Sequence, residues 1–198
     1  MPKEYRGFTL IELLIATVLA CMIILGIFSI DLFGRAHVMG SKKRTNVQNQ
    51  ISNAIEFMSK YVLQSTGDLS QPAITITAAG FNTRVDFNTT QTPGNLADDS
   101  TVSFSLVGNQ LTASCVNNGG GTGCPFVSEI LTDKVIAGFS NTVMPDAPTS
   151  GFYVSITNSG ATVDIGLAGK YKPAEVSSID NPLVSFKTKL NSVSSPTR

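Results

Sequence analysis

The sequence predicts an α+β fold in which one long N-terminal helix precedes an antiparallel β-rich domain. Three observations carry that expectation. Residues 13–30 hold no charged side chain, residues 47–62 repeat apolar side chains at steps of three and four, and from residue 73 short β-rich runs alternate with Gly, Asn and Pro. With 198 residues, 42% of them apolar, the chain has material for a packed core, so disorder is excluded as the whole answer.

Composition also narrows the function. Fourteen Lys+Arg balance fourteen Asp+Glu, so no bulk charge is available to hold a nucleic-acid backbone. One His, no Trp and three Cys are thin material for a metal site, which needs about three or four clustered ligands. No nucleotide motif, nucleophile–base pair or carboxylate pair can be argued from spacing, so no catalytic residue, cofactor or metal is expected. Charged residues make up only 14% of the chain, against roughly 25% in soluble domains, which implies that part of it lies outside water.

That part is the N-terminal run LLIATVLACMIILGIFSI at 13–30, long enough to cross a hydrocarbon core as a helix. A short basic leader, MPKEYRG, stands before it, and the apolar stretch begins at Phe8 with a single acid, Glu12, near its outer edge. A carboxylate there costs on the order of a few kcal/mol, so a cationic partner is its natural explanation. A cleaved secretory signal would have an apolar region of roughly 7–15 residues followed by a small-residue cleavage site, and here the run continues past that length. A lipoprotein signal ending at Cys21 would open into a polar linker, whereas Met22-Ile23-Ile24-Leu25 prolong the span. A plain signal anchor accounts for the length but gives Glu12 and Gly7 no role.

The residues Arg6-Gly7-Phe8-Thr9-Leu10-Ile11-Glu12-Leu13-Leu14-Ile15-Ala16 resemble the class III signal of type IV prepilins and type II secretion pseudopilins. The resemblance implies that a prepilin peptidase of the inner membrane cuts between Gly7 and Phe8 and that the new amino group of Phe8 is N-methylated. It further implies a pilin-like fold with the helix packed on the sheet. The expected partners are other pilin or pseudopilin subunits, that peptidase, an inner-membrane assembly platform and the membrane itself. Physically, the new terminus at Phe8 places a positive charge in the apolar layer, and Glu12 of an adjacent subunit can neutralise it. Breaking a buried pair of this kind by deleting one partner costs roughly 3–5 kcal/mol, so the pair can set register between staggered helices. The expected organisation is leader at 1–7, membrane and fibre-core helix at 8–33, amphipathic continuation at 34–66 and β-rich domain at 67–198.

In the continuation, Val47, Ile51, Ala54, Ile55, Met58, Tyr61 and Val62 form one stripe. The helix is expected to run from about Phe8 to Ser65 and to close at Gly67 and Pro72. Gly26, Gly34 and Gly40 each weaken it by up to about 1 kcal/mol relative to Ala, which favours a bend or a melted turn in the middle. Type IV pilins commonly carry a Pro in the early helix, and this span has none.

Strands are expected at 73–78, 83–87, 101–107, 110–115, 126–131, 135–140, 152–157, 161–167 and 183–190. Gly108-Asn109 and Asn158-Ser159-Gly160 are natural hairpin turns. The polar stretches 88–100 and 144–150 read as surface loops. Cys115 and Cys124 enclose the Gly-rich segment VNNGGGTG, and tying its ends removes about 2–3 kcal/mol of unfolded-chain freedom on the loop-closure model. A disulfide is therefore expected; a phosphate-cradling loop would need the Lys and Ser/Thr of a P-loop. Lys and Arg after the span outnumber those before it, which, counted naively, places the globular part in the cytoplasm. An oxidised cysteine pair places it in the periplasm, and this outweighs the count.

The remaining candidates read as structural. Cys21 is expected to behave as a small buried hydrophobe, His37 as a surface or interhelix residue, Asp98-Asp99 as a solvated loop without calcium-loop spacing, and Lys42-Lys43-Arg44 as a solvated helix face. The stretches at 130–139, 153–156 and 186–190 loosely resemble J-type minor pseudopilins and PilW-like minor pilins, and the mid-chain cysteine pair also favours a minor subunit. From a different class comes an uncleaved anchor presenting a binding module or adhesin through loops 88–100 or 119–123.

Overall fold

The computed structural model describes residues 9–67, 72–87, 95, 97–118, 123–157, 162–178 and 180–191. Gly7 and Phe8, the loop tip at 88–94, the glycines at 119–121 and the expected turn at 158–160 lie outside the described residues. The chain divides into two compact units, Met1–Lys42 and Lys43–Arg198, and one helix, α1 (Leu10–Leu63), carries the sequence through both.

Within the first unit, α1 is apolar on every side. Leu10, Leu14, Ile15, Met22, Leu25 and Phe33 are all more than half exposed, and Val18 nearly so. Its best window has a mean hydropathy of 2.8 with no residue buried. The few polar groups in the run are satisfied by the helix itself: the Thr17 hydroxyl donates to the Leu14 carbonyl and that of Ser29 to the Leu25 carbonyl, both at 2.9 Å. Bonding back to the helix removes hydroxyl donors that hydrocarbon could not satisfy. The expected melted turn is absent, since the helix is unbroken through Gly26, Gly34 and Gly40. A glycine costs about 1 kcal/mol in a helix, whereas a broken turn in an apolar layer leaves several backbone groups unsatisfied at a few kcal/mol each. Cys21, expected to be buried, is exposed and unpaired, like the apolar residues around it.

In the second unit, α1 turns one-sided as the periodicity requires. Val47, Ile51, Ala54, Met58, Tyr61 and Val62 are buried and Ile55 is partly so. The helix stops before the expected Gly67, at Leu63. There the Ser65 hydroxyl donates to the Val62 carbonyl at 2.7 Å, and the chain joins the first sheet through a Ser65–Val85 bridge and a bond from Thr66 N–H to the Arg84 carbonyl.

Among the described residues nine strands follow: β1 (Ile74–Ile76), β2 (Gly80–Val85), β3 (Ser100–Val107), β4 (Gln110–Asn117), β5 (Ser128–Thr132), β6 (Phe139–Ser140), β7 (Phe152–Thr157), β8 (Thr162–Gly169) and β9 (Val184–Asn191). They form two sheets, ordered β1-β2-β3-β4-β5 and β6-β7-β8-β9. Every pairing is antiparallel except the two-residue contact of β6 with β7. Alternation does the sorting: Val102, Phe104 and Leu106 point inward from β3 while Ser103 and Ser105 point outward. Gly108, at φ +61, makes the β3–β4 turn, as Gly-Asn predicts.

The expected strand at 135–140 is cut to β6 plus an isolated bridge between Val135 and Gly169. Gly138, at φ +103, interrupts extended geometry between them. The chain at 134–136 instead joins the end of β8, with Ile136 N–H donating to the Ala168 carbonyl at 3.0 Å and Lys170 N–H to the Lys134 carbonyl at 2.9 Å. Both sheets share one core. Phe81 lies tilted against Phe104 at 4.9 Å, reaches Phe152 of the second sheet at 6.1 Å, and Phe57 of α1 meets Phe104 edge-on at 6.4 Å. Rings at these spacings add about 0.5–1.5 kcal/mol per pair beyond their burial.

Candidate functional site

The first turn of α1 is built by Thr9 and Glu12. Thr9 donates from both its backbone N–H and its hydroxyl to Oε2 of Glu12, at 3.0 and 2.9 Å, and Glu12 N–H donates to the Thr9 hydroxyl oxygen at 3.3 Å. This is a reciprocal capping box, Thr at the N-cap with Glu three residues on, which satisfies two helix-start donors that nothing else in the helix can reach. The carboxylate also lies in the first turn, where the helix dipole favours negative charge. Glu12 therefore has a role within its own chain as well as any role toward a neighbour. The signal was in the sequence as Thr9-Leu10-Ile11-Glu12, a Thr-x-x-Glu ahead of an apolar run, and attention to the acid alone passes over it.

Further along the same unit, Asp31 and Arg35 form an exposed ion pair at 2.9 Å, four residues apart, and His37 stacks on Phe33 with ring centroids 6.4 Å apart. These are contacts along one helix, and they give His37 no ligand set.

In the second unit, Cys115 and Cys124 are joined in a disulfide. It ties the end of β4 to the segment leading into β5, and Asn117 supports the closure by accepting from Cys124 N–H at 3.2 Å and from the Ser100 hydroxyl at 2.9 Å. Among the described residues no group of three or more His, Cys, Asp or Glu is placed to hold a metal ion.

Two structural readings need correction. Asp99, expected to be solvated, is buried at 1% exposure and its Oδ2 accepts from the Thr66 hydroxyl at 2.8 Å. Val85 bridges Ser65 just past α1 and pairs with Ser100 at the start of β3, and this brings Asp99 against Thr66. Lys43, expected on a solvated face, is half-buried and leans over the Tyr171 ring at 5.8 Å, with Lys134 at 5.5 Å from the same ring. Only tertiary contact places that ring beside the helix.

Burial pushes the Asp99 carboxyl above the ordinary range; the Thr66 hydroxyl opposes the shift and the nearby Asp86 charge adds to it. A raised folded-state value means that the favourable contribution is complete at low pH and is lost as pH rises through that value. Asp99→Asn keeps an acceptor for Thr66 without the charge, so it is expected to melt above the parent at neutral pH. The gap should close as both forms are taken from about pH 7 to about pH 3, below the unfolded carboxyl value. A gap that stays constant over that range would mean that the Asp99 charge is not the cause.

Residues 2–28 match the family model described as the prokaryotic N-terminal methylation motif. No curated protein and no solved structure matches the chain. The N-terminus thus carries a prepilin-type methylation motif on a long apolar helix, followed by antiparallel sheets in a pilin-like α+β arrangement. Motif and helix together support a membrane-anchored pilin that enters a pilus or pseudopilus. The family is one of structural subunits.

Proposed function

We propose that the chain is a structural subunit of a type IV pilus or type II secretion pseudopilus. In this reading prepilin peptidase cuts after Gly7, the amino group of Phe8 is methylated, and an inner-membrane assembly platform inserts the helix into the fibre core. The observation that carries the reading is the coincidence of the methylation motif at 2–28 with a helix exposed and apolar on all sides. Neither lipid alone nor a soluble fold needs both. The β-rich unit occupies the periplasm before assembly, where an oxidising environment sustains the Cys115–Cys124 bond. The loose likeness at 130–139, 153–156 and 186–190, together with the mid-chain disulfide, favours a minor subunit.

The pathway is tested on protein purified from membranes of its own host. Intact mass and N-terminal peptide analysis should find a mature chain that begins with N-methylated Phe8. Gly7→Leu should leave the leader attached, because the peptidase must accommodate the residue before the cut; accumulation of mature chain from that variant would assign the cleavage to another protease. An intact leader on the parent protein would overturn the reading.

A further inference from the structure

We propose that the open edge of β9, with the cavity beside it, is a docking site for an extended acidic segment of a neighbouring fibre subunit, which adds to the second sheet as a fifth strand. The proposal rests on the fibre-subunit reading above.

β9 is the outermost strand of its sheet, eight residues long and paired with β8 along its whole length, whereas β6 at the other edge has only two residues. Among the described residues no strand pairs with its outer side, so a row of backbone donors and acceptors is available for strand addition. Its side chains alternate in chemistry. Ser185, Lys187 and Lys189 stand opposite Ala168, Gly166 and Asp164 on one face, and Phe186, Thr188 and Leu190 stand opposite Leu167, Ile165 and Val163 on the core face. Phe186 is 37% exposed although Leu167 beside it is fully buried, which marks where the core face lacks a cover.

Beside β9 lies a cavity of about 260 Å³, walled by Val143 and Met144, by residues 164–166 of β8 and by residues 187–189 of β9. It is small for a cofactor and suits single side chains. Val143 and Met144 belong to a segment that is tied down at its end, where the Tyr153 hydroxyl oxygen accepts from Thr149 and Ser150 N–H at 2.9 and 2.8 Å. Gly166 makes room for Met144, because a Cβ there would lie 2.8 Å from the Met144 Cβ.

The charges select the occupant. Lys187 and Lys189 line the cavity with Asp164, and Asp146, 3.6 Å from Lys187, is fully exposed, so that pair contributes little. A basic edge is resisted by these lysines, and pairing β9 with β9 of another copy would set lysines close together. A strand with carboxylates at alternate positions is accepted instead: its acids meet Lys187 and Lys189 and its intervening apolar residues cover Phe186 and Leu190.

The test uses the full chain in detergent micelles and three labelled peptides: one alternating Glu with Val, its Lys-for-Glu counterpart, and the Glu peptide with methylated backbone nitrogens. The Glu peptide is expected to bind, the other two about tenfold or more weakly, and Lys187→Gln/Lys189→Gln to lose at least tenfold with no change in melting temperature. No binding of the Glu peptide, or equal binding of its methylated form, overturns the proposal. In the host, Lys187→Glu/Lys189→Glu should lower the amount of chain in the fibre while the leader is still removed and Phe8 still methylated. Parent-level incorporation of that variant would sink strand docking and leave the fibre reading intact, whereas an uncut parent chain would sink the fibre reading itself.

Discussion

Glu12→Ala is expected to be cut after Gly7 almost as efficiently as the parent and to be nearly absent from assembled fibres. Two separate losses contribute. The alanine removes the acceptor for the Thr9 N–H and hydroxyl, a cap worth about 1 kcal/mol, and it removes the carboxylate proposed to neutralise the Phe8 terminus of an adjacent subunit, where an unpaired buried charge costs roughly 3–5 kcal/mol. Glu12→Gln separates them. Gln serves in a capping box as Glu does, so the helix start survives while the charge is gone. If the charge pair governs assembly, the Gln variant should fail as the Ala variant does, which corresponds to at least about a hundredfold loss from 3 kcal/mol or more. Fibre content measured by immunoblot of sheared fractions, against mature chain remaining in the membrane, reads both. Parent-level incorporation of Glu12→Gln would assign Glu12 to capping alone.

Gly151→Ala is expected to cost far more stability than a methyl group added at a glycine with open space around it. A Cβ at that position would lie 1.7 Å from the Ile136 carbonyl oxygen and 2.5 Å from Val135 Cγ1. The backbone cannot retreat freely: Gly151 N–H donates to the Gly138 carbonyl at 2.9 Å and its own carbonyl accepts from Ala168 N–H at 2.8 Å. The clash therefore falls on the seam where residues 134–138 meet the second sheet, and the cost is about 3 kcal/mol or more. For a chain of this size that lowers the melting temperature on the order of 10 °C, read by near-ultraviolet circular dichroism on the full chain in detergent. Gly108→Asn is the control, because the Gly108 turn has φ +61 and open space around it and Asn tolerates that conformation. A Gly151→Ala variant that melts with the control would show that the seam yields at little cost.

The glycines show why part of the molecule was legible and part was not. Gly108 announces itself, since Gly-Asn between two alternating runs is a turn by local conformation alone. Gly151 looks no different in sequence, and its necessity comes from a carbonyl fifteen residues away in the chain. The same division holds for the acids. Glu12 stands out because one acid in an apolar run is costly wherever the run goes, whereas Asp98-Asp99 in a polar stretch reads as solvated, and only the fold buries Asp99 against Thr66. Strand positions were legible from period-two alternation, but the split into two sheets was not, because alternation sets which face a residue takes and is silent on which strand lies beside it.

By itself the sequence determined the apolar, membrane-length helix, the prepilin-type motif before it, the stripe that α1 buries in the second unit, the succession of strands and the Cys115–Cys124 closure. Each of these depends on residues close together in the chain: on side-chain period, on local turn conformation, or on two thiols at the ends of a short flexible loop. The tertiary structure alone decided the strand order, the joining of residues 134–136 to the end of β8, the burial of Asp99, the placing of Tyr171 beside Lys43 and Lys134, and the long open edge of β9 beside its cavity. Those features depend on contacts between distant segments. Such contacts follow from which faces pack together, and many pairings consistent with the same local pattern differ by only a few kcal/mol.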